Sequence, residues 1–532
     1  MTSVSEGPHM RHEGTVTSID IADRDDVEKL KPNAIGLVSV LFLCITGSAP
    51  LAVFMFNFPF VVGAGNEQYA PAAFFFATIV LTIFSVAYVQ MARKLRAAGG
   101  MFTYVSHGLG RTLGIMSGFS LAAAYTLFGA SLIGGFAAFA QSKVASVFDA
   151  DPINWFWYAL IGIIGIALLG YFDIPISAKI LGVALLLELA IIGIFTVGVF
   201  AQGGNDGISI EPVLPWNAFQ GIAFGLGIFI AFWSWVGFEA APNYAEESKD
   251  PHRIIPIAVY ASCIFVGVLY TLAAWASVSS YGPANEAFDA LTAGTTTVFG
   301  GEIAIDYLNF NVVPAEQLIG SWLGNGMEIF IITGAFACAA ALNNAGLRYT
   351  YALGREGLLP RALGKTHPKH KTPHIAVLTQ AVIALAIIAA FRFGADRTAL
   401  DVYYWIAVQG VIWIILVQAL TALAVWAYFR NQPASERHWW KTTVAPWIAF
   451  LAQVLVLYLC YKYLSSLAAG DVLYVKELGQ IGNWAGFEID ITWLGIIGVA
   501  VPVAALAYAL YLRAANPAKY ETAGRFINEG DI

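Results

Sequence analysis

Apolar runs of about 18 or more residues recur along the whole chain, and each is long enough to cross roughly 30 Å of hydrocarbon as an α-helix. Twelve such runs have the approximate bounds 34–58, 70–92, 112–142, 156–172, 177–201, 218–241, 254–280, 322–353, 374–391, 401–429, 444–468 and 490–513. Only 12% of the residues are charged, about half the share that is typical of soluble proteins. The sequence therefore predicts an all-α integral membrane protein with twelve transmembrane helices.

Polar segments flank this membrane domain, which spans residues 34–513. Residues 1–33 and 514–532 are polar, and we expect both to be tails. A cleavable signal peptide is not expected, because the long charged beginning is not followed by an early apolar core with a small-residue cleavage site.

Lys and Arg are concentrated in the loops that follow even-numbered runs, whereas residues 281–321 contain five acids and neither Lys nor Arg. The positive-inside rule then places both termini in the cytoplasm and the acidic loop outside. We expect a multi-pass protein of the cytoplasmic membrane, with the lipid bilayer as its surroundings. The basic loops orient the helices, so no nucleic acid partner is expected, and no obligatory protein partner is evident.

Neither a metal site nor a cofactor is predicted. The four cysteines lie singly within apolar runs, without metal-ligand spacing. The chain contains no phosphate-binding loop of the form GxxxxGK[ST]. Because no nucleophile–base constellation can be built within the spans, the sequence does not indicate an enzyme.

Two spans carry residues that interrupt helices. The first run contains "LFLCITGSAPLAVFMF", with Gly47, Ser48 and Pro50, and the sixth contains "AFWSWVGFEAAPNYA", with Gly237 and Pro242. Proline lacks the backbone N–H and clashes with the carbonyl four residues earlier. Freed backbone groups persist in a membrane only where they face protein or a watery cavity. Packing kinks are the alternative interpretation, since glycine and proline are frequent in membrane helices.

The two interruptions fall in spans one and six, which are corresponding positions of two five-helix halves. Such paired interruptions indicate the midplane substrate site of an inverted-repeat transporter. The N-terminal ends of the second half-helices would suit a carboxylate, and the free carbonyls would suit an ammonium group. A zwitterionic amino acid needs both, whereas a polyamine needs the carbonyls more.

Three separated motifs carry a family resemblance. They are "GFEAAPNYAEESKDPHRIIPIAV", "NNAGLRYTYALGREGLLPRALGKTHPKHKTP" and "RKLRAAGGMFTYVSHGLGRTLG". They resemble the amino acid–polyamine–organocation permeases over about residues 34–513. The resemblance implies a five-plus-five inverted repeat with discontinuous helices 1 and 6, its halves at about 34–201 and 218–429, and two extra helices at about 444–513.

The resemblance also implies substrate contacts at the first break. Backbone there binds the substrate carboxylate in the family, which corresponds to Thr46, Gly47, Ser48 and Ala49. Family members usually show a richer run such as Gly-Ser-Gly-Ile-Gly. Here "TGSAPLA" leaves one glycine and adds Pro50, which weakens the case for carboxylate recognition.

In the sixth span the resemblance implies an aromatic side chain that closes over the substrate, with Trp233 and Trp235 as the candidates. The site-lining candidates beside them are Ser234, Gly237 and Phe238. Tyr125 and Asn343, in the third and eighth spans, are further candidates for substrate contact. Helix-packing hydrogen bonds are the alternative role of both residues.

Two glutamates lie within apolar spans, where an ionised group costs several kcal/mol. Glu239 follows the second break, and we interpret it as coupling protonation to gating or, alternatively, as a hydrogen-bonding anchor. Glu188 lies midway along "SAKILGVALLLELAIIGIF", where proton-coupled members of the family carry a lysine that substitutes for a sodium ion. It can carry the proton, bind the amino group of a substrate or remain a protonated structural acid.

The sequence thus predicts a secondary active transporter that moves an amino acid or a related small amine by alternating access. Proton symport through Glu188 and Glu239 is the expected coupling. The alternatives are a polyamine or other amine carrier, an obligate exchanger and a transporter-like membrane sensor. The short tails offer little room for the signalling domain that a sensor needs.

Overall fold

The computed structural model describes residues 30–95, 99–149, 151–172, 174–464, 481–484, 487–489 and 493–524. Its α-helices are α1 Leu37–Gly47, α2 Pro50–Ala52, α3 Phe58–Val61, α4 Ala70–Lys94, α5 Gly100–Leu109, α6 Arg111–Phe148, α7 Trp155–Tyr171, α8 Ile174–Gln202, α9 Phe224–Trp233, α10 Pro251–Ser279, α11 Glu286–Ala293, α12 Val312–Leu318, α13 Ser321–Arg355, α14 His374–Ala389, α15 Ala399–Phe429, α16 Ala445–Lys462, α17 Trp493–Ala515 and α18 Pro517–Tyr520. Wider π-helical turns occupy Val53–Asn57, Val62–Asn66, Ala390–Gly394 and Trp439–Val444. Tighter 3₁₀ turns occupy Glu67–Tyr69, Glu211–Val213, Pro215–Phe219, Phe238–Tyr244, Arg361–Gly364 and Ala434–Glu436.

Four short strands form two antiparallel pairs between helices. β1 (Thr295–Thr296) pairs with β2 (Ile303–Ala304) in the acidic segment before α12. β3 (Ile481–Trp484) pairs with β4 (Phe487–Ile489) between α16 and α17. Both pairs are minor additions to a helical protein.

Ten helical stretches within the described residues are long and apolar enough to cross a membrane, judged by length and composition. The longest, Leu37–Lys94, has 58 residues and includes the first broken helix and α4. α7 is a shorter apolar helix. The prediction of a mainly helical, multi-pass membrane protein is confirmed at this level, whereas the count of twelve crossings stays a prediction.

The first helix breaks where the sequence places glycine, serine and proline. α1 ends at Gly47, and Ala49 has a left-handed backbone conformation with φ of 49°. Pro50 then occupies the first turn of α2, where its missing N–H removes a donor that a helix N-terminus leaves unpaired in any case. The chain continues helically from Pro50 to Asn66 through alternating α and π turns.

The sixth span breaks in a different way. α9 ends at Trp233, and Gly237 has a φ of 123°, a conformation that glycine adopts without the steric penalty of a Cβ. The span resumes as a 3₁₀ helix, Phe238–Tyr244, which contains Pro242. The interruption of the sixth span therefore lies between Trp233 and Phe238 and includes Gly237, whereas Pro242 lies inside the resumed 3₁₀ helix.

Long helices pack around these breaks. α6 packs along both α13 and α15, and α4 packs along α10. α1 and its continuation contact α8, α10 and α13. The breaks are therefore enclosed by protein, as unsatisfied backbone groups require in a membrane.

The loop after the second break is tied to neighbouring elements. Ile35 donates its N–H to the carbonyl of Glu247 at 3.1 Å. The carboxylate of Glu247 pairs with Arg348 at 2.6 Å, and Glu246 pairs with Arg355 at 2.8 Å. The two acids thus pair with arginines of α13 across the bundle.

The C-terminal segment docks just beyond the end of α13. The Gly524 N–H donates to Oε2 of Glu356 at 2.9 Å, and the Thr522 hydroxyl donates to the Glu356 carbonyl at 2.8 Å. Tyr520 and Thr112 share a hydroxyl hydrogen bond of 2.8 Å. The predicted tail is therefore ordered through Gly524, while residues 1–29 and 525–532 of the predicted tails lie outside the described residues.

This docking predicts a pH dependence. Burial raises the pKa of Glu356 to about 8, and the Gly524 N–H and Arg355 only partly offset that effect. Because the docked state favours the neutral acid, its contribution to docking is complete below the ordinary glutamate pKa and is lost as pH rises through about 8. Hydrogen-exchange protection of residues 516–524, corrected for intrinsic exchange rates, should fall as pH rises from 4.5 to about 8.

Glu356→Gln keeps a neutral group of the same shape and should remove this pH dependence. Protection that changes equally in the wild-type protein and in Glu356→Gln would assign the effect to another group.

Candidate functional site

The two breaks meet backbone to backbone. A Cβ placed on Gly237 would lie 2.5 Å from the carbonyl carbon of Gly47 and 2.8 Å from the Ser48 nitrogen. A Cβ on Gly47 would lie 3.2 Å from the Gly237 Cα. Glycine is therefore required on the sixth span at this crossing, both for space and for the backbone conformation.

A small cavity of about 20 Å³ lies at this crossing. It is lined by Gly47, Ser48, Ala49, Val53, Asn57, Phe128, Leu132, Trp233, Val236, Cys338, Leu342 and Tyr403. One buried water requires about 10–15 Å³ by the same measure. The structure is thus a closed state, in which the cavity must widen before it can hold an organic solute.

Three aromatic rings form one wall of the cavity. The rings of Trp233 and Tyr403 lie 5.6 Å apart with an angle of 32° between their planes. Phe128 approaches Trp233 edge-on at 6.5 Å. These rings come from α6, α9 and α15, so three separate parts of the chain supply the wall.

A short polar network lies beside the rings. The Asn57 amide donates to the Ser234 hydroxyl at 2.9 Å, and its oxygen accepts from the Tyr403 hydroxyl at 3.2 Å. On the opposite side the Cys338 thiol donates to the Gly47 carbonyl at 3.2 Å. The network joins the first span, the sixth span, α13 and α15 around the cavity.

Glu239 lies just after the second break and is fully buried. Its Oε1 accepts from the Tyr125 hydroxyl at 2.8 Å, and its Oε2 accepts from the Gly237 N–H at 2.9 Å. Tyr88 donates to its backbone carbonyl at 2.8 Å. The carboxyl group therefore joins α6 to the broken part of the sixth span.

Glu188 projects from α8 to the first break. Its Oε2 accepts from the Leu51 N–H at 3.2 Å, so it caps the second half of the broken helix. Its Oε1 is buried and accepts no hydrogen bond from a protein group. A Cβ on Gly334 of α13 would come within 2.8 Å of its Cδ, so glycine there makes room for the carboxylate.

The candidate substrate contacts fall into two groups. Four of them line the cavity, namely Gly47, Ser48, Ala49 and Trp233. Ser234 does not line it, but its hydroxyl accepts a hydrogen bond from the amide of Asn57, which does. The remaining candidates do not line the cavity. Among them, Gly237 forms the backbone contact with Gly47.

Trp235 turns toward α10, where its indole N–H donates to the Cys263 carbonyl at 3.2 Å and its ring packs on Tyr270. Phe238 packs on Phe84 of α4. Thr46 is buried, and its hydroxyl has no hydrogen-bond partner. These three side chains occupy helix interfaces rather than the cavity.

Tyr125 and Asn343 have different surroundings. Tyr125 stacks on Tyr349 and reaches Glu239 rather than the cavity. Asn343 lines a second cavity of about 10 Å³ between α6, α7, α13 and α14, together with Thr126 and Gln380. The second cavity holds no ionisable group.

Sequence reasoning missed several cavity residues, notably Asn57, Phe128, Cys338 and Tyr403. Asn57 carried a usable signal, because an amide within an apolar span usually faces another helix. The other three look like ordinary packing residues. Their place at the cavity depends on how α6, α13 and α15 cross the breaks.

The full sequence matches the amino acid permease family over residues 35–475. The low-affinity putrescine importer PlaP of Escherichia coli is 25% identical over 384 residues, which cover 68% of this chain and 77% of that protein. The branched-chain amino acid permease BcaP of Bacillus subtilis is 22% identical over 340 residues, covering 59% and 67%. The glutamate/serine transporter AimA of the same species is 23% identical over 350 residues, covering 59% and 58%.

The backbone contact at the crossing predicts a large effect of Gly237→Ala. The new methyl group would clash with Gly47 and would stand at an unfavourable φ, a combination that should destabilise the protein by at least about 2 kcal/mol. The thermal midpoint in detergent should fall by several degrees, measured by loss of the monodisperse peak after heating.

Gly193→Ala is the matched control, because a Cβ there meets no atom within 4 Å and alanine favours the helix. Equal midpoints for the two variants would show that the crossing tolerates a side chain.

Proposed function

Because the chain belongs to the amino acid permease family, we propose that it is a secondary active transporter that moves an amino acid or a related small amine by alternating access. Membership of this family makes the chain a membrane transporter rather than an enzyme. The observation that carries the mechanism is the closed cavity at the crossing of two broken helices. Such crossings are the midplane binding sites of inverted-repeat transporters.

Twelve crossings fit the helical stretches. The 58 residues of Leu37–Lys94 would extend about 87 Å as a helix, more than twice the hydrocarbon thickness, and so supply two crossings. α7, at 17 residues, is just long enough for another. With the other nine stretches these give twelve, arranged as two five-helix repeats and two extra helices in the cell membrane, with both termini cytoplasmic.

Alternating access requires that contacts on one side of the cavity separate. The buried Arg348–Glu247 pair and the backbone bonds between Ile35 and the loop after the second break are such contacts. Separating a buried ion pair costs much free energy if either charged group stays buried without its partner. Opening must therefore expose both Arg348 and Glu247 to water, as an inward-facing vestibule would.

Glu239 is the residue to which we assign proton coupling. It bonds Tyr125 of the first repeat and Gly237 of the second, so its charge acts on a contact between the two repeats. Protonation removes the charge that holds both donors and should weaken that contact. Rocking of one repeat against the other would then depend on the proton.

Glu188 is a second candidate for the proton. Its contact with Leu51 lies within one repeat, so its titration would alter the first break rather than the contact between repeats. Obligate exchange of one solute for another remains the alternative to symport, and the transport assay separates the two.

The first experiment is uptake into proteoliposomes of radiolabelled leucine, glutamate, serine and putrescine, with and without an inward proton gradient. We expect accumulation of at least one of them that collapses when the gradient is dissipated. Uptake that appears only in vesicles preloaded with solute would instead identify an exchanger.

Glu239→Gln should lower gradient-driven accumulation by at least about tenfold while exchange stays within about twofold, because the proton is lost but the cavity is kept. Glu316→Gln removes an exposed acid outside the spans and is the matched control. Accumulation at the wild-type level in Glu239→Gln would remove Glu239 from the coupling mechanism.

A further inference from the structure

Three N–H groups at the first break already donate hydrogen bonds within the protein. The Ser48 N–H donates to carbonyls of α1 at 3.1 and 3.2 Å, and the Ala49 N–H donates to Thr46 at 3.0 Å. Pro50 has no N–H, and the Leu51 N–H donates to Glu188. The N–H groups of Ser48, Ala49 and Leu51 are thus bound by the chain itself, and a substrate carboxylate would have to displace those bonds.

The second break shows the same pattern. Trp235, Val236 and Phe238 each donate their N–H to a carbonyl within the span, at 3.0–3.2 Å. The Gly237 N–H donates to Glu239. At each break, the carboxyl group of a glutamate therefore accepts a hydrogen bond from an N–H that the interrupted helix leaves without a helical partner.

The side chains at the cavity add no cation. None of its lining residues is a lysine, arginine or histidine. The hydroxyl of Ser48, the amide of Asn57, the thiol of Cys338 and the hydroxyl of Tyr403 all donate to protein acceptors. A carboxylate placed here would have to displace internal bonds, and burial without donors is strongly unfavourable.

A cation meets the opposite conditions. The side chains of Trp233, Tyr403 and Phe128 line the cavity, and aromatic rings attract an ammonium group. The buried carboxylates of Glu188 and Glu239 lie behind the two breaks, and Oε1 of Glu188 has no hydrogen-bond partner. A carboxylate that is ionised at either position would favour a positive group at the crossing.

From these contacts we infer that the substrate is a small amine without a carboxylate, because Glu188 occupies the position that a substrate carboxylate would take. This inference rests on the proposed transport function and narrows it. Pro50 contributes by removing one of the donors that an amino acid would need.

The test uses pairs of solutes that differ only in the carboxylate: putrescine and ornithine, agmatine and arginine, isoamylamine and leucine, ethanolamine and serine. Each is supplied radiolabelled to proteoliposomes that contain the full chain, and accumulation and exchange are both measured. We expect at least one amine with a half-saturation at least about tenfold lower than that of its parent amino acid, a difference of about 1.4 kcal/mol.

The outcomes distinguish a failure of the amine preference from a failure of the proposed transport function. An amino acid that is moved as well as its amine, or better, overturns the inference and leaves the transporter intact. If none of the eight solutes moves, in accumulation or in exchange, the transport proposal fails and the inference falls with it.

Variants of Glu188 test its role directly. Glu188→Ala frees the Leu51 N–H, so the preference for the amine should shrink at least about tenfold as the parent amino acid gains affinity. Glu188→Gln retains an oxygen for Leu51 and should keep the discrimination while amine affinity falls, which preserves the test if the alanine variant does not fold. Glu316→Gln, an exposed acid, is the charge control.

An unchanged ratio of amine to amino acid in Glu188→Ala would show that Glu188 does not occupy the carboxylate position.

Discussion

The backbone contact between Gly47 and Gly237 is the constraint on which the rest of this structure depends. At this crossing the two broken helices touch without side chains between them. Their proximity brings the aromatic wall, the Asn57 network and the two capping glutamates around one small volume. A side chain on Gly237 would move the spans apart and with them every group that surrounds the cavity.

The glutamates resolve a problem that the breaks create. An interrupted membrane helix exposes N–H groups that have no water to bind, and a carboxyl group buried in a membrane also needs hydrogen-bond partners. Glu188 on Leu51 and Glu239 on Gly237 satisfy both needs at once. The same pairing leaves Oε1 of Glu188 as a buried acceptor to which no described residue donates.

The sequence was sufficient for the helical, multi-pass character of the protein and for finding the two interrupted spans, because apolar length and helix-breaking residues are local signals. It could not decide which way a side chain turns on a helix that is buried on all sides. Trp233 and Trp235 lie two residues apart, yet the first lines the cavity and the second packs on Tyr270. The cavities that Asn343 and Tyr403 line depend on how distant helices cross. The pattern of residues within one span gives no information about that crossing.

The small volume at the crossing has a consequence for the passage of water and protons through this point. A volume of about 20 Å³ holds a single water, or at most two. Proton conduction along water requires an unbroken file of molecules, and one or two waters cannot span the bilayer. Water can therefore pass this crossing as a longer file only after the two broken helices move apart.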